Sequence, residues 1–233
     1  MWTVDDGRPG LRERKKQRTR AAISDAAITL FLEHGFSKVS VAQVADAAEV
    51  SKRTLFAYFP TKEDLVLHRL ADHETELARV VRAREPGSGP LAAVRDHVLA
   101  RLRERDPITG LNDRPDVLRL TRMILDSPSL ASRMQGFKAG AERALAQALR
   151  ETADTPDLTA RLAAAQIITV QWVLAHDNAR RLADGEAADA RYAGAVADAE
   201  HAFTLLGNGL RDLTPKRPPK RTPNRSPKRS PKR

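Results

Sequence analysis

The sequence of 233 residues contains no cysteine, and only 4% of its residues are aromatic. The absence of cysteine excludes disulfides, thiolate metal sites and cysteine nucleophiles. No apolar run approaches the length of about 18 residues that a membrane-spanning helix needs, and the first ten residues lack the apolar centre of a secretory signal. We therefore expect a soluble, cytoplasmic protein that is long enough to bury a hydrophobic core in one or two domains.

Sequence motifs of catalysis are also missing. The chain has no Gly-rich phosphate loop after a strand, no G-x-S-x-G and no HExxH. Its six histidines, at positions 34, 68, 73, 97, 176 and 201, are scattered without the spacing of metal ligands. We therefore predict that the protein is not an enzyme and that it uses no cofactor and no metal.

Positive charge is concentrated in the last twenty residues. The chain has a formal net charge of +10, and residues 214–233 contain nine Lys and Arg but no Asp or Glu. This tail consists of the tetrapeptides TPKR, PPKR, TPNR, SPKR and SPKR, whose prolines and lack of apolar side chains predict disorder. Two functions remain open for the tail: a solubilising extension, or an auxiliary clamp that binds DNA of many sequences.

The stretch SVAQVADAAEVSKRTLFAYF, which begins at Ser40, predicts two short helices joined by a tight turn. Ser40 is a favourable N-cap and Gln43 completes a capping box, while Ser51 can cap the second helix. In that helix Leu55 and Phe59 are four residues apart and point inward, so that polar and basic side chains remain outside. A short helix of this kind suits a DNA major groove, which indicates a helix-turn-helix.

The flanks of this motif agree with it. A helix is predicted from Thr19 to His34, ended by Gly35, and another after Thr61, which can serve as its N-cap. Six basic residues lie at the start of the first helix: Arg12, Arg14, Lys15, Lys16, Arg18 and Arg20. They are either a solvated helix start or an arm that contacts DNA phosphates.

The run AAISDAAITLFLEHGFSKVSVAQVADAAEVSKRTLFAYFPTKEDL resembles the N-terminal domain of the TetR family of one-component transcriptional regulators. The most specific parts of the resemblance are FLEHGF, VAQVADAAEVS, TLFAYF and FPTKEDL. Glu49 departs from the pattern, because the family usually has Gly in this turn. A residue other than Gly with a positive φ costs about 1 kcal/mol, so we expect slight strain at this position.

The resemblance implies an all-α fold of about nine helices. A three-helix helix-turn-helix DNA-binding domain would be followed by a larger helical domain for ligand binding and dimerisation. The predicted segments are a flexible basic arm (1–14), the DNA-binding domain (15–62), the effector-binding and dimerisation domain (63–213) and a disordered basic Pro-rich tail (214–233). Helices at about 156–183 and 186–207 would form a homodimer interface, although ordinary core packing explains their apolar residues equally well.

The resemblance also implies which residues bind DNA. It places six residues where the recognition helix contacts DNA: Ser51, Lys52, Arg53, Thr54, Phe56 and Tyr58. Ser40 and Lys62 occupy helix starts that hold the phosphate backbone, and Arg18 of the basic run is a further candidate. The guanidinium of Arg53 has the shape to address a guanine edge. Two roles are possible for Phe56: packing in the core or contact with a thymine methyl group.

In the C-terminal domain the resemblance implies an effector pocket. Its candidate residues are Met123, Leu125, Phe137, Trp172 and His176, each of which could instead serve ordinary packing. The many Leu, Val, Ile and Ala side chains of the region favour an apolar or acyl-type effector. The similarity of RTLFAYFPTKEDL to a subgroup with acyl-CoA-like effectors points the same way.

The sequence thus predicts a bacterial regulator, a repressor by the usual habit of the family, that binds a palindromic operator as a dimer. It would be associated with the nucleoid when bound to DNA and would have no membrane partner. The alternative is a non-specific or architectural DNA-binding protein that depends on the basic tail.

Deletion of residues 214–233 tests the tail. If the tail is a clamp, the shortened protein should bind all DNA sequences more weakly. Its affinity should also depend less on salt, because nine cationic side chains no longer displace counterions from phosphates. Affinities of the full chain and of residues 1–213 for one duplex, measured over a series of salt concentrations, give the two slopes. Equal slopes would show that the tail does not contact DNA.

Overall fold

Ten α-helices and one short 3-10 turn, with no β-strand, make up the described part of the chain. The computed structural model describes residues 11–209, without the side chains of 11–13 and 69–72. Most of the predicted arm (1–10) and the tail (214–233) lie outside the described residues. The helices are α1 (Leu11–His34), α2 (Val41–Ala47), α3 (Lys52–Tyr58), α4 (Asp64–Glu74), α5 (Glu76–Ala83), α6 (Pro90–Arg103), α7 (Pro115–Asp126), α8 (Pro128–Ala153), α9 (Asp157–Ala183) and α10 (Ala188–Gly209), and the 3-10 turn is Pro107–Thr109.

The helices form two hydrophobic cores. The N-terminal core lies among α1 to α4 and includes Phe31, Leu55 and Phe59, each no more than 1% exposed. The C-terminal core lies among α5, α6, α8, α9 and α10 and includes Leu145 and Ile167. The predicted all-α fold, a small helical domain followed by a larger one, is therefore confirmed, with ten helices in residues 11–209 where about nine were expected.

Most helix ends follow local sequence signals. α1 ends at His34, and Gly35 has the left-handed backbone (φ +90°) that glycine adopts without strain. Pro90, Pro115 and Pro128 each occupy the first position of a helix, where no intrahelical N–H bond is lost. The predicted bounds of about 156–183 and 186–207 lie close to those of α9 (Asp157–Ala183) and α10 (Ala188–Gly209).

The first helix is longer than predicted. α1 begins at Leu11 and not at Thr19, so the basic side chains from Arg14 to Arg20 lie on a helix and not on an extended arm. The sequence RERKKQRTR consists mostly of good helix formers, which lets the helix extend toward the N-terminus.

The chain after Thr61, where one helix is predicted to start, forms two helices, α4 and α5, which are divided at Thr75. The first residue of α5, Glu76, is buried and accepts hydrogen bonds from three side chains. The donors are His73 Nδ1 at 2.6 Å, His97 Nε2 at 3.0 Å and Arg101 Nη2 at 2.8 Å. His97 and Arg101 belong to α6, more than twenty residues after Thr75. The local sequence pattern around Thr75 therefore could not predict the helix break that lies beside these contacts.

This network shifts the ionisation of its members. Burial raises the pKa of Glu76, but the hydrogen bonds from His73, His97 and Arg101 outweigh it and hold the pKa far below its usual range. The hydrogen bond to Glu76 in turn raises the pKa of His73, against a smaller effect of burial. Ionised Glu76 and protonated His73 therefore stabilise the junction of α4 and α5 together.

α9 is, within residues 11–209, the one helix that is long and apolar enough to span a bilayer by length and composition. Core helices of soluble proteins meet the same criterion. α9 packs against α7, α8 and α10 and contributes Ala163, Ala164 and Ile167 to the C-terminal core. These contacts bury one side of α9, while Leu158, Leu162 and Val173 on its other side are exposed.

The raised pKa of His73 predicts a pH-dependent stability. Its protonated form contributes fully below the unfolded pKa of about 6.5, and the contribution is lost as the pH rises through the higher folded pKa. The free energy of unfolding should therefore fall between about pH 6 and pH 8, and fall less in His73→Gln. Urea unfolding at both pH values measures this difference, with the exposed His201→Gln as control. Equal falls in His73→Gln and the wild type would contradict the prediction.

Candidate nucleic-acid interface

α2 is fixed at its start by the predicted capping box. The Ser40 hydroxyl accepts a hydrogen bond from Gln43 N (3.3 Å), and the Gln43 side chain accepts one from Ser40 N (2.8 Å). Val44 and Ala45 on the inner face are buried in the N-terminal core. Ser40 itself is exposed, so its backbone and hydroxyl lie at the protein surface.

The turn between α2 and α3 has the hydrogen bonds of a Schellman motif. The N–H of Val50 donates to Ala45 O (2.9 Å), and the N–H of Glu49 donates to Asp46 O (3.1 Å). Glu49 has a φ of +53°, so the positive φ expected at this residue is confirmed. The turn keeps its hydrogen bonds despite the strain of about 1 kcal/mol for a residue other than glycine.

α3 turns its polar side outward and its apolar side inward. Ser51 Oγ accepts a hydrogen bond from Thr54 N (3.0 Å) and caps the helix as predicted. Leu55 and Phe59 are completely buried in the N-terminal core. We call the outer side the recognition surface; it comprises the exposed Ser51, Lys52, Arg53, Phe56 and Ala57 and the half-buried Thr54 and Tyr58.

Phe56 is 47% exposed on the recognition surface. Leu55, the adjacent core residue of the same helix, is 0% exposed, so core packing does not account for Phe56. Lys52 is one turn away on the same face. An exposed aromatic ring at this position can make an apolar contact with a base edge, of which the thymine methyl group is the example in the major groove.

Lys62, a predicted phosphate contact, packs against aromatic rings of the N-terminal core. Its ammonium donates a hydrogen bond to Phe36 O and lies 4.5 Å from the centre of the Phe36 ring and 5.4 Å from that of Phe31. Burial lowers the pKa of this ammonium, an effect that Glu63 opposes. Lys62 therefore ties the loop before α4 to the N-terminal core, and its contact with a DNA phosphate stays a prediction.

The first turns of α1 carry a second basic surface. The shallow groove along it is lined by Arg14, Lys15, Gln17, Arg18 and Ala21. Arg18, a predicted DNA contact, is exposed there. The guanidinium of Arg20 instead lies 5.4 Å from the centre of the Phe59 ring, a cation–π distance. Arg18 is thus available to a phosphate, while Arg20 packs against the anchor of α3.

A cavity of about 20 Å³ lies within the C-terminal domain, among α5, α6, α9, α10 and the 3-10 turn. Its polar side includes Glu76, His97, Arg101 and Gln171, and its apolar side includes Val98, Leu102 and Leu174. The Glu76 network described above therefore borders an enclosed space.

The predicted effector residues do not line this cavity. Met123 and Phe137 pack against the N-terminal core, and Trp172 packs against the C-terminal core. Leu125 is 39% exposed and His176 is also exposed. The five residues thus lie in three different environments.

Sequence reasoning missed the residues that do face the cavity. On α9 these are Gln171 and Ala175, whereas the prediction named the next residues in the sequence, Trp172 and His176. Glu76, His97 and Arg101 were not considered. The available signal was a pair of polar residues, His97 and Arg101, one turn apart on a helix whose inward positions are otherwise apolar.

Comparison with known proteins agrees with this geometry. Residues 23–68 match the family described as bacterial regulatory proteins, tetR family. The chain is 29% identical over 181 residues to the HTH-type transcriptional regulator TcmR of Streptomyces glaucescens, covering 72% of this chain and 79% of TcmR. It is 28% identical over 169 residues to the HTH-type transcriptional repressor KstR of Rhodococcus jostii, covering 72% of this chain and 75% of KstR.

A solved structure has the same fold. That of GusR from Salmonella enterica matches with a TM-score of 0.53 at 20% identity, covering 83% of this chain and 96% of GusR. The relatives are transcriptional regulators, which are not enzymes, and regulators of this family are soluble cytoplasmic DNA-binding proteins. Residues 23–68 of this chain therefore form a helix-turn-helix domain of the tetR family, and the helical C-terminal domain that follows gives the chain the architecture of TetR-family structures.

Proposed function

We propose that this protein is a repressor that binds a palindromic operator as a homodimer and leaves it when a small effector binds. The name of one relative, the repressor KstR, supports repression. When bound to its operator the protein is associated with the nucleoid.

The main support for this proposal is the exposed recognition surface of α3. α3 presents Lys52, Arg53 and Phe56 on one exposed side, while its other side is completely buried. Arg53 can form two hydrogen bonds to a guanine edge, Lys52 can pair with a phosphate, and Phe56 offers an apolar contact. A rigidly held helix with three such groups favours reading of sequence over binding of phosphate alone.

The faces of α9 and α10 support a dimer. Leu158, Leu162 and Val173 share one face of α9 and are 65%, 54% and 61% exposed, and Leu205 of α10 is 59% exposed. Large apolar side chains grouped on a surface mark an interaction site. A second copy of the chain fits, since a dimer of helix-turn-helix proteins reads two half-sites about one helical turn apart.

The cavity supports an effector site in the C-terminal domain. Its apolar wall suits an apolar or acyl chain, and Glu76 and Arg101 offer a polar end to a head group. A volume of about 20 Å³ holds about one water molecule, so an effector has to separate the surrounding helices. Because Thr75 alone separates α4 from α5, this displacement can reach α4, the helix that follows α3. A ligand that binds the displaced arrangement more tightly weakens operator binding. By reciprocity, operator binding weakens ligand binding by the same free energy.

Non-specific binding through the tail is the second candidate function. The observation that favours it is the nine basic and no acidic residues of 214–233. It predicts similar affinity for any A·T-rich DNA, whereas a repressor prefers one inverted repeat.

Selection of bound sites from a random DNA pool, at about 0.15 M salt, separates the two functions. The full chain and residues 1–213 should both enrich the same inverted repeat. Arg53→Ala should lose about 1–3 kcal/mol of discrimination at one base position of each half-site, because its hydrogen bonds to a base edge are gone. Arg143→Ala, which removes an exposed arginine of α8, should keep the discrimination. Enrichment of A·T-rich tracts by the full chain and of nothing by residues 1–213 would refute the repressor.

Replacement of thymine by uracil in the selected operator tests Phe56. Uracil lacks the methyl group, so the wild type should bind the substituted half-site roughly fourfold more weakly, which corresponds to about 0.8 kcal/mol for one buried methyl group. Phe56→Ala should bind both operators equally, because the ring that contacts the methyl group is absent. Affinities of the two proteins for the two duplexes give the comparison. An equal loss in both proteins would assign the methyl contact to another residue.

A further inference from the structure

The N-terminal core is completed by α8, a helix of the C-terminal domain. Leu130, in the first turn of α8, is 0% exposed and belongs to the same buried cluster as Leu55 and Phe59. Met134 and Phe137, further along α8, pack against this cluster. The first turns of α8 therefore belong physically to the unit that carries the recognition helix, although they follow it by about seventy residues in the sequence.

Arg133 joins this part of α8 to the start of α4. Its Nε donates a hydrogen bond to Asp64 Oδ1 (2.9 Å), and its Nη2 lies 2.8 Å from the same oxygen. The guanidinium also lies 5.6 Å from the centre of the Phe137 ring. Asp64 is 6% exposed, so the carboxylate has little water to replace its partner.

Asp64 extends this contact to the end of the recognition helix. Its second oxygen, Oδ2, accepts a hydrogen bond from Thr61 N (3.1 Å), and Thr61 Oγ1 accepts one from Asp64 N (3.2 Å). Thr61 lies two residues after Phe59, which is the C-cap of α3 and is completely buried. A rotation of α3 relative to α8 therefore has to distort either the Thr61–Asp64 pair or the bond from Asp64 to Arg133.

α4 and α8 also meet at the other end of α4. The side chain of Glu74 lies directly on the backbone of α8 at the buried Gly140. A methyl group added to Gly140 would lie 1.9 Å from Glu74 Oε1, so the Glu74 side chain would have to turn away from α8 to make room for it. α4 therefore contacts α8 at both ends, through the hydrogen bond between Asp64 and Arg133 at its start and through Glu74 beside Gly140 at its end.

We propose that Arg133 is a positioning residue that, by holding Asp64, fixes the orientation of the recognition helix relative to the C-terminal domain. In a dimer this orientation sets the half-site spacing, because the two recognition helices have to lie about 34 Å apart to enter successive major grooves. The inference rests on the dimeric operator binding proposed above. Without Arg133, α3 samples a wider range of orientations, and the preference for one spacing weakens.

The test measures affinity of full-length proteins for the selected inverted repeat and for versions with one base pair added to or removed from the spacer. Arg133→Ala should bind the best operator about tenfold more weakly, a coupling of ordinary size. Its preference for the best spacer over the altered ones should be smaller than in the wild type. Its salt dependence should equal that of the wild type, because no phosphate contact is lost.

Two further variants complete the design. Asp64→Asn combined with Arg133→Ala leaves no unpaired buried charge, so it remains measurable if the single variant is unstable. It should show the same loss of spacing preference as Arg133→Ala, because both changes act on one bond. Arg143→Ala is the matched control: Arg143 is an exposed arginine of the same helix without an ion-pair partner in the described part of the chain.

Each other outcome overturns the inference in a distinct way. If Arg133→Ala and Arg143→Ala show equal spacing preferences, the hydrogen bond between Arg133 and Asp64 does not position α3. A salt slope reduced by about one would identify Arg133 as a phosphate contact. If the wild type enriches no inverted repeat, the operator proposal fails first, and this inference fails with it.

Discussion

A helix of seven residues is too short to be stable by itself in water, and α3 has this length. The structure supplies what the helix lacks. Burial of the side chains of Leu55 and Phe59 contributes about 1.5–3 kcal/mol each, and the Ser51 cap about 1 kcal/mol. Since these contacts involve only the inner side and the ends of α3, the outer side is free to carry any set of DNA-binding residues without loss of stability.

The core that anchors α3 is larger than the domain that the sequence delimits. A boundary at residue 62 and a family match that ends at residue 68 both leave out Leu130, which is as deeply buried as Leu55. The recognition helix thus depends on a residue of the C-terminal domain. A unit cut after α4 would expose the apolar surface that Leu130, Met134 and Phe137 cover. Because the core is shared, a movement of α8 in the C-terminal domain can act directly on the core that anchors α3.

Features that depend on residues close together in the sequence were predicted, whereas features that depend on contacts between distant residues were not. The capping box of Ser40, the cap of Ser51 and the positive φ of Glu49 arise between residues at most five apart, and the sequence predicts each of them. The inward turn of Lys62 depends on Phe36, and the break at Thr75 lies beside contacts with α6, so neither has a local signal. On α9 the helix was identified correctly, but packing against three other helices sets which residues face the cavity.

The Glu76 network restricts which effectors the cavity can accept. If the proposed effector enters the cavity by moving α5 away from α6, this movement stretches the hydrogen bonds that Glu76 receives from His97 and Arg101. A buried group that loses its partner costs about 1–3 kcal/mol, and more when it is charged. An entirely apolar molecule offers no replacement for these bonds, whereas a molecule with an apolar chain and a polar head group can restore them. The head group of the proposed effector would therefore have to donate hydrogen bonds to Glu76 or accept them from His97 and Arg101, and binding there would act on the junction between α5 and α4.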